Sequence, residues 1–164
     1  MIEPCFHRNR SGPEDVRTHL TACAGAFTPP LGERVDLPDY AAKLAARAER
    51  FEAWAGPALV GLVAVYCNDP ERSRAFVTNV SVAPERARAG LGRRLLRSAI
   101  VHARGLGFRQ LALSVDRRAG ACRLYEALGF AVEGREGDTL HLSLDLTPGP
   151  AEAKAAPPGE SGRP

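Results

Sequence analysis

The chain has 164 residues and a formal net charge of +3, with 45% apolar and 25% charged residues. These values are typical of an ordinary globular protein, and the length fits one domain that needs no metal or disulfide to stabilise its core. The four cysteines lack C-x-x-C or Cys/His spacing, which predicts reduced thiols and no metal site. The N-terminus lacks a signal-peptide core, and the run ALVGLVAVYC is too short to span a bilayer. A cytoplasmic protein without a membrane partner is expected.

The first half of the chain indicates two helices followed by three strands. Ser11 and Glu14 have capping-box spacing, which predicts a helix from about Pro13 to Cys23. Asp36 is expected to cap a second helix with the sequence LPDYAAKLAARAE. The segments RFEAW, LVGLVAVYC and RAFVTNVSVA are rich in valine and aromatic residues and predict three strands, the first two joined as a hairpin.

The second half predicts two helices alternating with strands. Apolar residues recur at helical spacing from Leu91 to Ala103, and Gly105 and Gly107 end that helix. LALSV predicts a strand, AGACRLYEAL a helix ended by Gly129, and FAVEG and LHLSLDL two more strands. Together these elements predict a single α/β domain with a mixed sheet over residues 1–146. Residues 147–164 are rich in Pro, Gly and Ala and predict a disordered tail.

Positive charge is concentrated around a Gly-Leu-Gly sequence at the start of the third predicted helix. Seven arginines and no acidic residue lie between Arg86 and Val115. A helix N-terminus offers free N–H groups and the positive end of a dipole, and glycines let a phosphate approach the backbone. Gly90 and Gly92 therefore predict a phosphate or pyrophosphate site. A Walker loop would need Lys directly after the second glycine, where this sequence has Arg93. A dinucleotide-binding fingerprint would need a third glycine, where this sequence has Leu95. Neither motif is therefore present here.

In this context the sequence resembles the GNAT superfamily of acyl-CoA-dependent N-acetyltransferases. ARAGLGRRLL resembles the family's Q/R-x-x-G-x-G/A loop, and VSVAPE resembles the strand before it. LALSV resembles the next strand, and AGACRLYEALGF the A-x-x-L-Y-x-x-x-G-F segment, so the resemblance covers about residues 58–132. Two positions depart from the pattern, because Ala87 replaces the loop's first Gln/Arg and Arg118 replaces an Asn.

The resemblance implies the GNAT fold and acetyl-CoA as cofactor. The loop would hold the pyrophosphate, and the strand before it would separate from its neighbour and bind the pantetheine arm through its backbone. The cofactor-binding residues implied in this way are Val80, Ser81, Val82, Arg88, Ala89, Gly90, Leu91, Gly92, Arg93 and Arg118.

The resemblance also suggests residues for the chemistry. Tyr125 aligns with the family tyrosine that serves as general acid, and a phenol with a pKa near 10 stays protonated at neutral pH; the alternative is a core tyrosine. Glu52, on an alternating strand, is a candidate general base and acceptor-binding residue, or else a solvent-facing residue. Asn79 is a candidate for holding the substrate, and His102 and His141 are lesser candidates for the base.

The expected activity is acetyl transfer to the primary amine of a small molecule, such as an amino sugar, an amino acid or a polyamine, by direct attack. An acyl-CoA sensor without turnover and a protein N-terminal acetyltransferase remain alternatives, and a homodimer is left open. A nucleic-acid-binding role is disfavoured, because the arginines cluster at a helix start without interleaved aromatic residues.

Overall fold

The computed structural model describes residues 2–147, which form a seven-stranded sheet flanked by four α-helices. The predicted tail falls outside the described residues except for Thr147. The elements are β1 (Cys5–Arg8), α1 (Pro13–Cys23), α2 (Leu37–Arg47), β2 (Glu49–Ala55), β3 (Ala58–Tyr66), β4 (Arg74–Val82), α3 (Leu91–Gly105), β5 (Gln110–Asp116), α4 (Cys122–Ala127), β6 (Ala131–Glu136) and β7 (Thr139–Asp145).

The strands lie in the order β1-β2-β3-β4-β5-β7-β6. The β4–β5 pair is parallel and the other pairs are antiparallel, which confirms the predicted mixed sheet. Strand β1 was not predicted, because CFHR is short and has no apolar alternation. It pairs with β2 at the edge of the sheet, and most of its residues are exposed.

The helices cover the two faces of the sheet with separate hydrophobic clusters. Helices α1 and α2 pack on one face, where Leu20 and Leu44 meet Leu62 of β3. Helices α3 and α4 pack on the other face, where Leu96 and Tyr125 share a cluster with β3 residues such as Val63. Neighbouring residues of one strand thus serve opposite layers, as the alternation of side chains in a strand requires. Within residues 2–147, no helix has both the length and the apolar character needed to cross a membrane.

One of the two predicted helix caps is confirmed and the other is wrong. Asp36 caps α2, since its Oδ1 accepts the Asp39 N–H at 3.0 Å. Helix α1 instead begins after Gly12, whose N–H donates to the Asp15 carboxylate at 2.9 Å. The predicted pair of Ser11 and Glu14 does not form, because the Ser11 hydroxyl donates to a buried carboxylate of β2.

Candidate active site

A cleft opens where β4 and β5 separate. The two strands pair only between Arg74–Phe76 and Gln110–Ala112, and beyond that ladder they diverge. The separation predicted for the strand before the glycine loop is therefore confirmed. The opening has a volume of about 220 Å³, and α4 and the segment after α1 contribute to its walls.

The edge of β4 that faces this cleft has free backbone groups. The Ala83 N–H donates to the Val60 carbonyl at 2.8 Å, and the antiparallel register with β3 continues from there. Because backbone groups alternate in direction along a strand, those of Ser81 face β3, whereas those of Val80 and Val82 face the cleft. Val80 and Val82 can therefore pair with a linear ligand as a sheet edge pairs with an added strand.

The loop before α3 presents further free N–H groups next to β4. Gly90 precedes α3 with φ of 80°, a conformation that favours glycine, and Arg88 has φ of 69°. The Arg94 N–H donates to the Gly90 carbonyl, so the N–H groups of residues 91–93 precede the helix's own hydrogen bonds. No side chain caps this end. Free donors and the positive end of the helix dipole together favour an anion here.

Contacts at Gly92 place this helix start against β4 and α4, two elements that border the cleft. A Cβ on Gly92 would lie 3.8 Å from Leu124 of α4 and 3.8 Å from Val82 of β4. The Arg93 side chain, in contrast, lines a groove of about 830 Å³ between α3 and β1. That larger groove touches neither β5 nor α4, so the smaller cleft is the better candidate for the site. Arg93 can contribute its backbone N–H to the helix start while its side chain lies on the other flank.

Tyr125 lies on α4 beside the cleft and is 6% exposed. Its ring meets Phe130 edge to face, with the ring centroids 5.9 Å apart. Burial, with a smaller contribution from the Cys122 thiol, raises the pKa of Tyr125 to about 12. The phenol therefore keeps its proton throughout the neutral range and can donate it.

A chain of buried polar groups lies beside the cleft at an irregularity in β4. Ser81 Oγ donates to Asn79 Oδ1 at 2.7 Å, and His19 Nε2 of α1 lies 2.9 Å from Ser81 Oγ. Asn79 lines the cleft and is 3% exposed, and its Nδ2 has no hydrogen-bond partner within residues 2–147. A buried donor without a partner is costly, which favours a ligand oxygen at this position.

A second polar chain reaches the cleft from the opposite strand. Ser114 of β5 lines the cleft and stands opposite His141 of β7 in the sheet register. The Ser114 Oγ is 2.9 Å from His141 Nδ1, and His141 Nε2 is 2.7 Å from Glu136 Oε1. The three side chains thus connect the cleft to the exposed carboxylate of Glu136.

A sequence profile described as the acetyltransferase (GNAT) family matches residues 14–130. The chain belongs to the GNAT acetyltransferase family. No curated protein matches the sequence significantly.

Solved structures of other proteins share the GNAT fold. A protein assigned to the GNAT family from Desulfovibrio desulfuricans is 23% identical with a TM-score of 0.72, covering 88% of this chain and all of its own. YncA from Salmonella typhimurium, solved with its cofactor acetyl-CoA, is 22% identical with a TM-score of 0.67, covering 90% of this chain and 97% of its own. PaiA N-acetyltransferase from Thermoplasma acidophilum, solved with coenzyme A, is 15% identical with a TM-score of 0.68, covering 86% of this chain and 99% of its own.

Acetyl-CoA is the cofactor of the GNAT family, and the cleft of this chain fits it. The free N–H groups at residues 91–93 suit a pyrophosphate, and the free edge at Val80 and Val82 suits the amides of the pantetheine arm. Arg88 and Ala89 are exposed in the loop beside the helix start, whereas the Leu91 side chain packs in the core. Leu91 can therefore reach a phosphate only through its backbone.

Arg118 already has a carboxylate partner in this structure. Its guanidinium binds Asp116 through two hydrogen bonds of 2.9 and 2.7 Å and lies 3.7 Å from Asp138. The hydrogen bonds from Arg118 hold the pKa of Asp116 well below its usual range. The contact between Arg118 and the cofactor, implied by the resemblance, stays a prediction.

Glu52 is placed differently from the sequence-based expectation. Its side chain is fully buried, and its two oxygens accept from the Arg10 N–H at 2.9 Å, the Ser11 N–H at 3.1 Å, the Ser11 hydroxyl and Trp54 Nε1 at 3.0 Å. The Arg50 guanidinium lies 3.5 Å away. Glu52 does not line the cleft, and its lone pairs are occupied, so this geometry argues against a role as base or acceptor-binding residue.

Two residues beside the cleft were missed from the sequence. Ser114 was read only as part of the strand LALSV, although a hydroxyl in an otherwise apolar strand was a signal that could have pointed to it. His19 was read only as part of a helix. His102 lines the groove between α3 and β1, whereas His141, a lesser candidate, contacts Ser114 at the cleft.

Proposed function

We propose that this protein transfers the acetyl group of acetyl-CoA to the primary amine of a small molecule by direct attack. The observation that carries the proposal is the position of Tyr125. Tyr125, with its protonated phenol, lines the cleft that also contains the free edge of β4, and the start of α3 packs against Val82 of that edge at Gly92. A proton donor and a binding surface for a linear phosphorylated cofactor thus converge on one small site.

Each part of the cleft has a distinct task in this proposal. Bound acetyl-CoA supplies an activated acetyl thioester. The N–H groups of residues 91–93 bind the pyrophosphate, and Val80 and Val82 orient the arm so that its end points toward the apex between β4 and β5. Asn79 Nδ2 offers a hydrogen bond to an oxygen at that end. Tyr125 holds a proton at its hydroxyl for the departing sulfur. Without that proton, the sulfur would leave as a thiolate whose negative charge is poorly solvated in the cleft.

The size and walls of the cleft support a small acceptor. Phe27, Thr28 and Arg34, from the segment between α1 and α2, line it together with Asp116. A volume of about 220 Å³ leaves limited room beside the cofactor's acyl end. An amino sugar, an amino acid or a polyamine is therefore the acceptor class that we propose, in preference to a protein N-terminus.

The proposal is tested by combining a binding assay with a turnover assay. Acetyl-CoA at a hundredfold excess over its Kd should stabilise the protein by ~2.7 kcal/mol and raise its Tm by roughly 5–10 °C. Release of free thiol from acetyl-CoA is then measured with a panel of amino sugars, amino acids, polyamines and short peptides. Turnover with small amines supports the proposal, and turnover only with peptides favours the protein N-terminal alternative. A Tm shift without turnover favours an acyl-CoA sensor. If acetyl-CoA does not raise the Tm, the proposal that the protein binds acetyl-CoA is overturned.

A further inference from the structure

Ser114 stands near the apex of the cleft and faces the side on which the acceptor is expected. It lies two residues beyond Ala112, which forms the last pair of the β4–β5 ladder with Phe76. Leu113 packs into the cluster under α3, so the alternation of the strand points Ser114 to the opposite face, the one that α1 and α2 cover farther along the sheet. The side chain of Ser114 is exposed and can be reached by a ligand in the cleft.

The partners of His141 determine the direction of its hydrogen bonds. An ionised Glu136 carboxylate can only accept, so His141 Nε2 must carry the hydrogen that lies between them. In a neutral imidazole Nδ1 is then the acceptor, and the Ser114 hydroxyl donates to it. The lone pairs of Ser114 Oγ remain able to accept a hydrogen bond from a cationic ligand.

We propose that Ser114 and His141 form a proton relay that deprotonates the ammonium group of the acceptor. This inference rests on the proposed function and names the base that it lacks. The ammonium gives one N–H proton to Ser114 Oγ while the Ser114 hydroxyl proton moves to His141 Nδ1. The products are a neutral amine and an imidazolium. Glu136 stabilises the new positive charge, and the proton then leaves to solvent from His141, whose side chain is 35% exposed.

The other ionisable side chains that line the cleft are poorly suited to this task. Burial raises the pKa of Cys23 to about 11, so it is a protonated thiol at neutral pH. Tyr125 is protonated as well, Arg34 is a cation, and Asp116 is bound by Arg118. Ser81 also lines the cleft and contacts a histidine, His19, but burial lowers the pKa of His19 to about 4, which makes it a weak base. Among the cleft-lining residues that the structure describes, Ser114 therefore gives access to the best available base.

The first test reads the relay without cofactor or substrate. In ¹⁵N-labelled protein at pH 8, the imidazole ¹⁵N shifts of His141, assigned with the His141→Gln variant, should report a single neutral tautomer protonated at Nε2. Glu136→Gln, whose side chain no longer requires an Nε2 donor, should weaken that preference. Ser143→Ala, a neighbouring position on β7 outside the relay, should leave it unchanged. Two freely exchanging tautomers in the wild-type protein would overturn the relay.

The second test separates proton removal from binding. With the alkylamine that is turned over fastest in the panel, Ser114→Ala and His141→Gln should lower kcat by about 10²-fold or more, with little change in KM for acetyl-CoA. With O-methylhydroxylamine, which is neutral at the assay pH and needs no deprotonation, the loss should nearly vanish. Ser143→Ala should match the wild-type protein with both acceptors.

The outcomes distinguish this inference from the proposed function. If no amine releases thiol, the proposed function and the relay both fall. If the wild-type protein turns over and His141→Gln retains its kcat with the alkylamine, the relay alone falls. An equal loss with both acceptors also overturns it, because the histidine would then support the structure of the cleft and not proton transfer.

Discussion

The buried imidazole of His19 should make the protein lose stability as the pH falls through the mildly acidic range. His19 is 3% exposed on α1. Burial lowers its pKa from 6.5 to about 4, and hydrogen bonds to Leu59 and Ser81 and the charge of Glu85 oppose that effect only partly. At a pH between these two pKa values, the unfolded chain binds a proton at His19 that the folded chain does not bind. The free energy of unfolding must therefore fall as the pH drops through this window.

The size of the effect follows from the two pKa values of His19. From pH 7.5 to pH 5 the free energy of unfolding should fall by about 2 kcal/mol on account of His19 alone, and well below pH 4 the loss should level off at about 3 kcal/mol. Urea unfolding at pH 7.5, 6.5 and 5 measures this loss in the wild-type protein and in His19→Gln. Subtracting the two curves removes the contribution of groups that titrate in both proteins.

The variant should change the pH dependence of stability as well as its value at one pH. His19→Gln is expected to lower stability at pH 7.5, because the contact with Ser81 is altered, yet to lose about 2 kcal/mol less than the wild-type protein on going to pH 5. His7→Gln, at an exposed position of β1, is the control and should follow the wild-type curve. If His19→Gln falls as steeply as the wild-type protein, His19 does not titrate as its burial requires.

Three further substitutions and one control variant test the cleft and the core. Tyr125→Phe should lower kcat by roughly 10²–10⁴-fold with little change in acetyl-CoA affinity; a wild-type rate while chemistry is rate-limiting would leave Tyr125 a core residue. Gly90→Asp should weaken acetyl-CoA binding in calorimetry by placing a carboxylate beside the phosphates. Gly107→Asp, with a similarly positive φ of 91° and no neighbour within 4 Å of an added Cβ, should share the strain but bind normally. Glu52→Gln should lower the free energy of unfolding by about 3–5 kcal/mol, since Arg50 loses its buried counter-charge, with kcat per folded molecule preserved; a lost kcat at full stability would restore Glu52 as a base.

The fold was predictable where burial leaves a periodic pattern. The apolar spacing from Leu91 to Ala103 predicted α3, and Asp36 predicted the start of α2, because both signals are local. Strand β1 was missed, since an edge strand with exposed side chains leaves no such pattern. The face of Glu52 could be derived from the alternation of β2, but its burial could not, because the segment at Arg10 and Ser11 comes to lie over it only after folding.

The backbone part of the site was predictable and the polar chains were not. The glycine spacing and the motif around Tyr125 lie within short stretches of sequence. The contact of Ser114 with His141 spans 27 residues, and that of His19 with Ser81 spans 62 residues. Neither contact can be recognised from the sequence, since each depends on which strands and helices become neighbours in the fold. Reading such pairs requires the register of the sheet.

The buried cluster around Glu52 also determines how the segment between α1 and α2, which lines the acceptor side of the cleft, can be altered. The Arg50 guanidinium donates to the Ser11 carbonyl at 2.9 Å and to the Ser11 hydroxyl at 2.8 Å, so residues 11 and 50 close a loop of chain that contains α1 and α2. Within this closed loop, the segment at residues 24–36 can change length while its anchors stay fixed. Doubling a flexible segment costs only about 0.6 kcal/mol of closure entropy. New acceptor pockets could therefore be introduced there without disturbing the strands that hold the cofactor.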